Sequence, residues 1–132
     1  MQPNRILFVE DDRDTCELIE ILLSDEDVIC VLGYDQALER IRVDGPFDLY
    51  LLDYYLPDHD GLQLCRAIRK IDRKTPIVFF TGSRSLQNSD IKSAGGQYLV
   101  RKSEPNFLEK LKTHVGMLLD PNTDVEAYGA EA

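Results

Sequence analysis

Five short apolar runs, each followed by a segment of helical periodicity, constrain this chain more than any other feature of its sequence. The runs cover residues 6–9, 28–32, 49–52, 77–80 and 98–100. Each is too short for a helix and lacks polar alternation, so each reads as a strand buried on both faces. Apolar residues then recur at helical spacing in Cys16, Ile19, Leu22 and Leu23; in Ala37, Leu38 and Ile41; in Leu62, Leu64, Cys65, Ile68 and Ile71; and in Phe107, Leu108, Leu111, Val115, Leu118 and Leu119. Helix ends are marked too. Asp12 or Asp14 caps the first, Asp35 opens the second and Gly45-Pro46 closes it, Thr75-Pro76 follows the third, and Ser103 or Pro105 begins the last. Residues 83–93 offer only Leu86 and Ile91 as sizeable apolar side chains, so a helix there is short and marginal. Strand and helix alternate five times. That order predicts an α/β single domain, a doubly wound five-stranded parallel sheet with five helices and right-handed crossovers.

In such a sheet the site lies beyond the carboxyl ends of the strands. The residues expected there are Glu10 and Asp11 after the first strand, Asp53 after the third, Thr81 at the end of the fourth and Lys102 after the fifth. The stretch 48–61 is the sharpest signal among them: an apolar run stops at Asp53, and Pro57 and Asp60-Gly61 then turn the chain. Clustered carboxylates of this kind gather at sites rather than at random rims. Asp12 and Asp14 read as helix caps, and His59 and His114 lack a second ligand nearby in sequence.

With 132 residues and 43% apolar content, the chain can bury a core without disulfides or a structural metal. Cys16, Cys30 and Cys65 form no metal-binding spacing and read as three reduced thiols packed in the core. Only four apolar residues precede Glu10, too few for a signal peptide or a membrane span, which predicts a cytoplasmic protein. A net charge of -9 disfavours nucleic acid or an anionic membrane as a partner. The folded unit is expected at 1–119. Residues 120–132, with Asp120, Asp124, Glu126, Glu131 and no Lys or Arg, are expected to form a disordered acidic tail.

Glu10-Asp11, Leu52-Asp53 with Pro57 and Asp60-Gly61 after it, Thr81-Gly82 and Lys102 together resemble the receiver domain of bacterial two-component response regulators, over about residues 5–119. The resemblance implies a flavodoxin-like strand order, 2-1-3-4-5. It implies Mg²⁺ (or Mn²⁺) held by Asp11, Asp53 and the backbone carbonyl of Tyr55, with Glu10 acting through water. Asp53 is then the phosphorylation site, taking a phosphoryl group from a phosphohistidine on a sensor histidine kinase or a histidine phosphotransfer protein. Lys102 neutralises phosphoryl oxygens. Thr81 is the switch hydroxyl, and an aromatic on the fifth strand follows its movement. Tyr98 is assigned that aromatic role, although counting from Gly95 puts Leu99 at the usual place; Arg101 is the rival for Lys102. Ser103 stands where the family has Pro, and the interval from Thr81 to Lys102 is one residue short, implying a trimmed fourth helix or loop. Tyr55 and Ser83 occupy positions that tune phosphoryl lifetime.

The expected function is a stand-alone phospho-accepting switch, not an enzyme beyond its own phosphorylation and dephosphorylation, that binds a downstream protein and is open to homodimerisation. Two other classes remain. A pseudo-receiver would be a phosphate-independent interaction module, against which the intact acidic, Thr and Lys positions argue. A haloacid-dehalogenase-type phosphatase needs an acid two residues after its Asp, where this chain has Tyr55.

Overall fold

The computed structural model of the chain describes residues 2–129. Its elements are β1 (Arg5–Val9), α1 (Arg13–Leu22), β2 (Asp27–Val31), α2 (Tyr34–Asp44), β3 (Leu49–Leu52), α3 (Gly61–Ile71), β4 (Ile77–Thr81), α4 (Asn88–Ala94), β5 (Tyr98–Arg101) and α5 (Phe107–Leu119). All strand pairs are parallel and the sheet order is β2-β1-β3-β4-β5, the expected doubly wound arrangement.

The uninterrupted apolar runs follow from burial on both faces. Successive strand side chains point to opposite sides, so each run divides between two layers. Leu7, Val9, Tyr50, Leu52, Ile77, Phe79 and Leu99 pack with α2, α3 and α4, through Ala37, Ile41, Leu64, Cys65, Ile68 and Ile91. Ile6, Phe8, Leu49, Leu51, Val78, Phe80 and Val100 pack with α1 and α5, through Cys16, Ile19, Leu111, Val115 and Leu118. Each fully buried Leu, Ile or Phe contributes about 1.5–3 kcal/mol against exposure, so these layers are the main source of stability.

Helix ends are set locally. Asp12 caps α1, accepting from the Thr15 amide at 3.2 Å. Asp60 and Gln63 form a reciprocal box at α3: the Gln63 amide donates to Asp60 Oδ1 at 2.8 Å, and the Asp60 amide donates to Gln63 Oε1 at 2.9 Å. Such a cap is worth about 1 kcal/mol. The marginal helix is indeed short, seven residues in α4. The last helix starts at Phe107, later than Ser103 or Pro105, because Asn106 at φ 60° turns the chain out of helical conformation just before it.

Two expectations need correction. Cys16 and Cys30 are not separate thiols: α1 packs on the sheet face to which Cys30 of β2 points, the Cα atoms of the two residues lie 6.3 Å apart, and the two form a disulfide. Their spacing of 14 residues hides this, since the β-α-β crossover creates the proximity. Cys65 remains a free, buried thiol, as expected of a core residue. The other correction concerns the tail. Residues 120–129 form turns that fold back on the sheet, with Val125 and Tyr128 half-buried against the α1–α5 layer. Residues 130–132, Glu131 among them, lie outside the described residues. Among the described residues, no helix is long and apolar enough to cross a membrane.

Candidate functional site

The rim is built by extending the ladder one residue beyond each strand. The Glu10 amide donates to Val31 O at 2.9 Å, the Asp53 amide to Val9 O at 3.2 Å and the Lys102 amide to Thr81 O at 2.8 Å. These bonds level the ends of β1, β3, β4 and β5, so side chains far apart in sequence reach one edge.

Three charged groups meet there. Lys102 Nζ lies 3.2 Å from Glu10 Oε1 and 3.5 Å from Asp53 Oδ2. Glu10 is 2% exposed and Asp53 6%, while the lysine keeps contact with solvent. The Asp12 amide donates to Glu10 Oε2 at 3.2 Å, and the Tyr55 amide approaches Asp53 Oδ1 at 3.4 Å. Lys102 Nζ also stands 5.0 Å above the Phe80 ring. Burial, and then repulsion from Asp53, push the Glu10 carboxyl up to about 7, with Lys102 opposing. Two desolvated carboxylates therefore share one ammonium.

That imbalance fits a hard divalent cation, which prefers carboxylate and carbonyl oxygens and retains water. Asp11 is exposed at the lip beside Glu10, available to the same edge. Among the described residues, no three His, Cys, Asp or Glu side chains already converge as a closed metal cage.

Thr81 is fully buried at the end of β4, its Oγ1 accepting from the Ser83 amide at 3.2 Å, which leaves its own proton free to donate. Arg101 is excluded from the lysine's role. Its guanidinium donates to Ser83 O at 3.0 Å and to Leu86 O at 2.5 Å, tying β5 to the loop before α4.

The assignment of Tyr98 as the switch aromatic does not hold. Thr81 shares the face of Ile77 and Phe79, toward α3 and α4, by the two-residue alternation of β4. On β5 it is Leu99 that lies on this face, opposite Phe79, whereas Tyr98 pairs with Val78 and packs on the α5 side. A side chain cannot cross the sheet to fill space vacated by Thr81. The residue count from Gly95 falls on Leu99, which lies on the Thr81 face, while the aromatic Tyr98 lies on the other.

One supporting feature gave no sequence signal, and a second gave only part of its own. The ring of His59 stacks on Tyr34 at 3.8 Å, and the Tyr34 amide donates to Asp58 at 3.2 Å, pinning the loop after Asp53 to the start of α2. Gly61 packs against the Asp53 carbonyl so closely that a Cβ would overlap it, and the Gly61 amide donates to Tyr54 O at 2.7 Å. The Asp-Gly pair marked a turn in sequence; its close packing under Asp53 appears only in three dimensions.

Known proteins share both family and fold with this chain. The family described as "Response regulator receiver domain" matches residues 6–115. The response regulator ArlR of Staphylococcus epidermidis is 31% identical over 130 residues, spanning 91% of this chain and 55% of that protein. The response regulator MprA of Mycolicibacterium vanbaalenii is 32% identical over 134 residues, spanning 98% and 56%. The chain thus spans about half the length of these two relatives, and only 35% of the transcriptional regulatory protein DltR of Streptococcus agalactiae, which is 39% identical over 79 residues. Among solved structures, a CheY-like response regulator receiver domain protein from Methanospirillum hungatei superposes with a TM-score of 0.80 at 26% identity, covering 90% of this chain and 95% of that one. The BeF3-activated receiver domain of Klebsiella pneumoniae RstA superposes with a TM-score of 0.76 at 33% identity, covering 89% and 99%. With its family match, its sheet order and its acidic rim in agreement, the chain belongs to the receiver domains of two-component response regulators.

Proposed function

We propose that Asp53 accepts a phosphoryl group from a phosphohistidine of a sensor histidine kinase or a phosphotransfer protein, and that the modified domain then binds a downstream protein. The observation carrying this reading is the buried Asp53 carboxylate at the strand rim with Lys102 Nζ at 3.5 Å. A carboxylate oxygen of Asp53 attacks phosphorus, the P–N bond breaks, and its electron pair passes to the imidazole nitrogen. The lysine ammonium compensates charge on the transferring oxygens, which is where phosphoryl transfer needs help most.

Asp11, Asp53 and the Tyr55 carbonyl would hold Mg²⁺ or Mn²⁺, with Glu10 acting through water. The ion, when bound, offsets the negative charge that carboxylates and phosphoryl group bring together. Thr81 would turn its free hydroxyl proton toward a phosphoryl oxygen. Leu99, on the same face and opposite Phe79 two residues before Thr81, then repacks, altering the surface around α4. The chain catalyses only its own phosphorylation and dephosphorylation in this reading and works in the cytoplasm.

Incubation with Mg²⁺ and acetyl phosphate, read by intact mass, tests the assignment. A single phosphoryl adduct that requires Mg²⁺ and is absent from Asp53→Asn supports it. An adduct that survives Asp53→Asn, or none in wild type alongside unchanged amide spectra with beryllofluoride, refutes it in favour of a phosphate-independent module.

A further inference from the structure

Behind the acidic rim lies a group that phosphoryl transfer does not use, the Cys16–Cys30 disulfide, which ties α1 to β2 at the edge of the sheet. Cys16 Sγ stands 3.6 Å and Cys30 Sγ 3.9 Å from the backbone carbonyl oxygen of Glu10. Glu10 is buried, and among the described residues no backbone amide or hydroxyl donates to that oxygen. A buried carbonyl without a donor is uncommon and destabilising. While the sulfurs are bonded to each other they have no proton to offer; as thiols, each can donate to it. The local structure therefore suits both redox states, a covalent bond in one and S–H donors for Glu10 in the other.

The pair is also reachable. Cys30 is half-buried, and with Cys16 it lines a surface cavity of about 290 Å³ whose other walls are Arg13, Glu17, Glu20 and Leu32. Two acids against one base at this mouth disfavour a reagent carrying a carboxylate. In the reducing cytoplasm, where this domain is proposed to work, a disulfide is usually a transient or redox-sensing bond.

We propose that Cys16–Cys30 is a thiol–disulfide exchange site for small thiols that lack a carboxylate, and that its redox state is passed to the turn of Glu10 and Asp11 through the Glu10 carbonyl. A thiolate attacks Cys30 Sγ and forms a mixed disulfide; the electron pair of the broken S–S bond passes to Cys16 Sγ, which takes a proton from water. A second thiolate attacks the reagent's sulfur, leaving as the reagent's disulfide, and Cys30 Sγ is released and protonated in turn. Two electrons thus pass from two thiols to the protein. Reduction frees α1 from β2 and turns the Glu10 carbonyl toward new donors. The turn, which runs on into the Asp12 cap of α1, is then less preorganised for a divalent cation. This last consequence rests on the cation reading above; the exchange does not.

The experiment uses the full chain, wild type and Cys30→Ser, equilibrated with oxidised or reduced dithiothreitol at low salt. Alkylation after denaturing quench should find Cys65 alone in oxidised wild type and all three cysteines in the reduced chain. Cysteamine should reduce the folded protein severalfold faster than mercaptoacetate at equal thiolate concentration. Without metal, the amide signals of residues 10–12 should differ between the two forms of wild type and ignore dithiothreitol in Cys30→Ser. Reduced wild type and Cys30→Ser should bind Mg²⁺ about fivefold more weakly than oxidised wild type. Three free thiols under oxidising conditions, a bond that exchanges only in urea, mercaptoacetate reacting as fast as cysteamine, or unchanged signals at residues 10–12 each overturn the proposal. So does equal Mg²⁺ affinity of the two forms. Mg²⁺ that binds neither form removes the cation reading instead, and the alkylation and metal-free spectra then decide.

Discussion

In the absence of metal, Glu10 should make this domain less stable as pH rises through neutrality. Its carboxyl is held up at about 7 by burial beside Asp53, against an ordinary value near 4.5. The folded protein therefore keeps a proton that the unfolded chain has already released. Stability from this group is fully present below about pH 4.5 and is lost as pH climbs through 7. Two to three pH units at roughly 1.4 kcal/mol each amount to ~3 kcal/mol, a sizeable share of a small domain's total. The assay is urea unfolding in EDTA at pH 5 and pH 8, on wild type and Glu10→Gln. Other titrating groups cancel in the difference between the two proteins. That difference should move by ~3 kcal/mol in favour of Glu10→Gln at the higher pH, about 1–3 M in midpoint at the usual urea slopes. Mg²⁺ at pH 8 should recover most of the loss in wild type and less in the variant. A wild-type-minus-variant difference that is the same at both pH values would refute the argument that Glu10 is desolvated against Asp53.

Gly61→Ala should lower stability by about 1–3 kcal/mol in thermal unfolding, because its Cβ overlaps the Asp53 carbonyl, and should slow phosphorylation by acetyl phosphate severalfold. Asp60→Ala, one residue away, should lose only the cap, about 1 kcal/mol, with the phosphorylation rate nearly unchanged. Lys102→Ala leaves two buried carboxylates without their ammonium and is expected to cut the phosphorylation rate about a hundredfold, measured by intact mass against time. Tyr55 follows Asp53 by two residues and is 58% exposed with its ring edge-on to Tyr54; Tyr55→Ala should shorten the phosphoryl lifetime, and an equal or longer lifetime in the variant would remove the proposed shielding role of the ring.

The architecture was readable because burial on both faces writes each strand as a continuous apolar run, and because crossovers force the intervening helices. The acidic residues and Lys102 were readable as strand-end positions, yet the contact of Lys102 with Glu10, 92 residues apart, is a product of register. Face assignment on β5 was the weak point. Four residues with Tyr, Leu, Val and Arg in succession show no polar alternation, so sequence does not say which side meets Thr81, and the aromatic drew the choice away from Leu99. The disulfide and the folded tail failed for a related reason. Both depend on which helix lands on which side of the sheet, and an acidic stretch carrying only Val125 and Tyr128 as larger anchors reads by composition as unstructured.

If the switch works as proposed, Leu99 on the Thr81 face of the sheet changes what kind of signal the domain can emit. A tyrosine at that place would announce its two positions through a hydroxyl that finds or loses water. An isobutyl group has no such polar label and no preferred partner on either side. In the proposed switch the message passed to α4 is one of volume: how much space lies behind β5, and how the chain above it settles. A cavity-filling Leu99→Met or a cavity-making Leu99→Ala would then act as a mechanical bias on the switch, resetting its resting position while the chemistry at Asp53 stays the same.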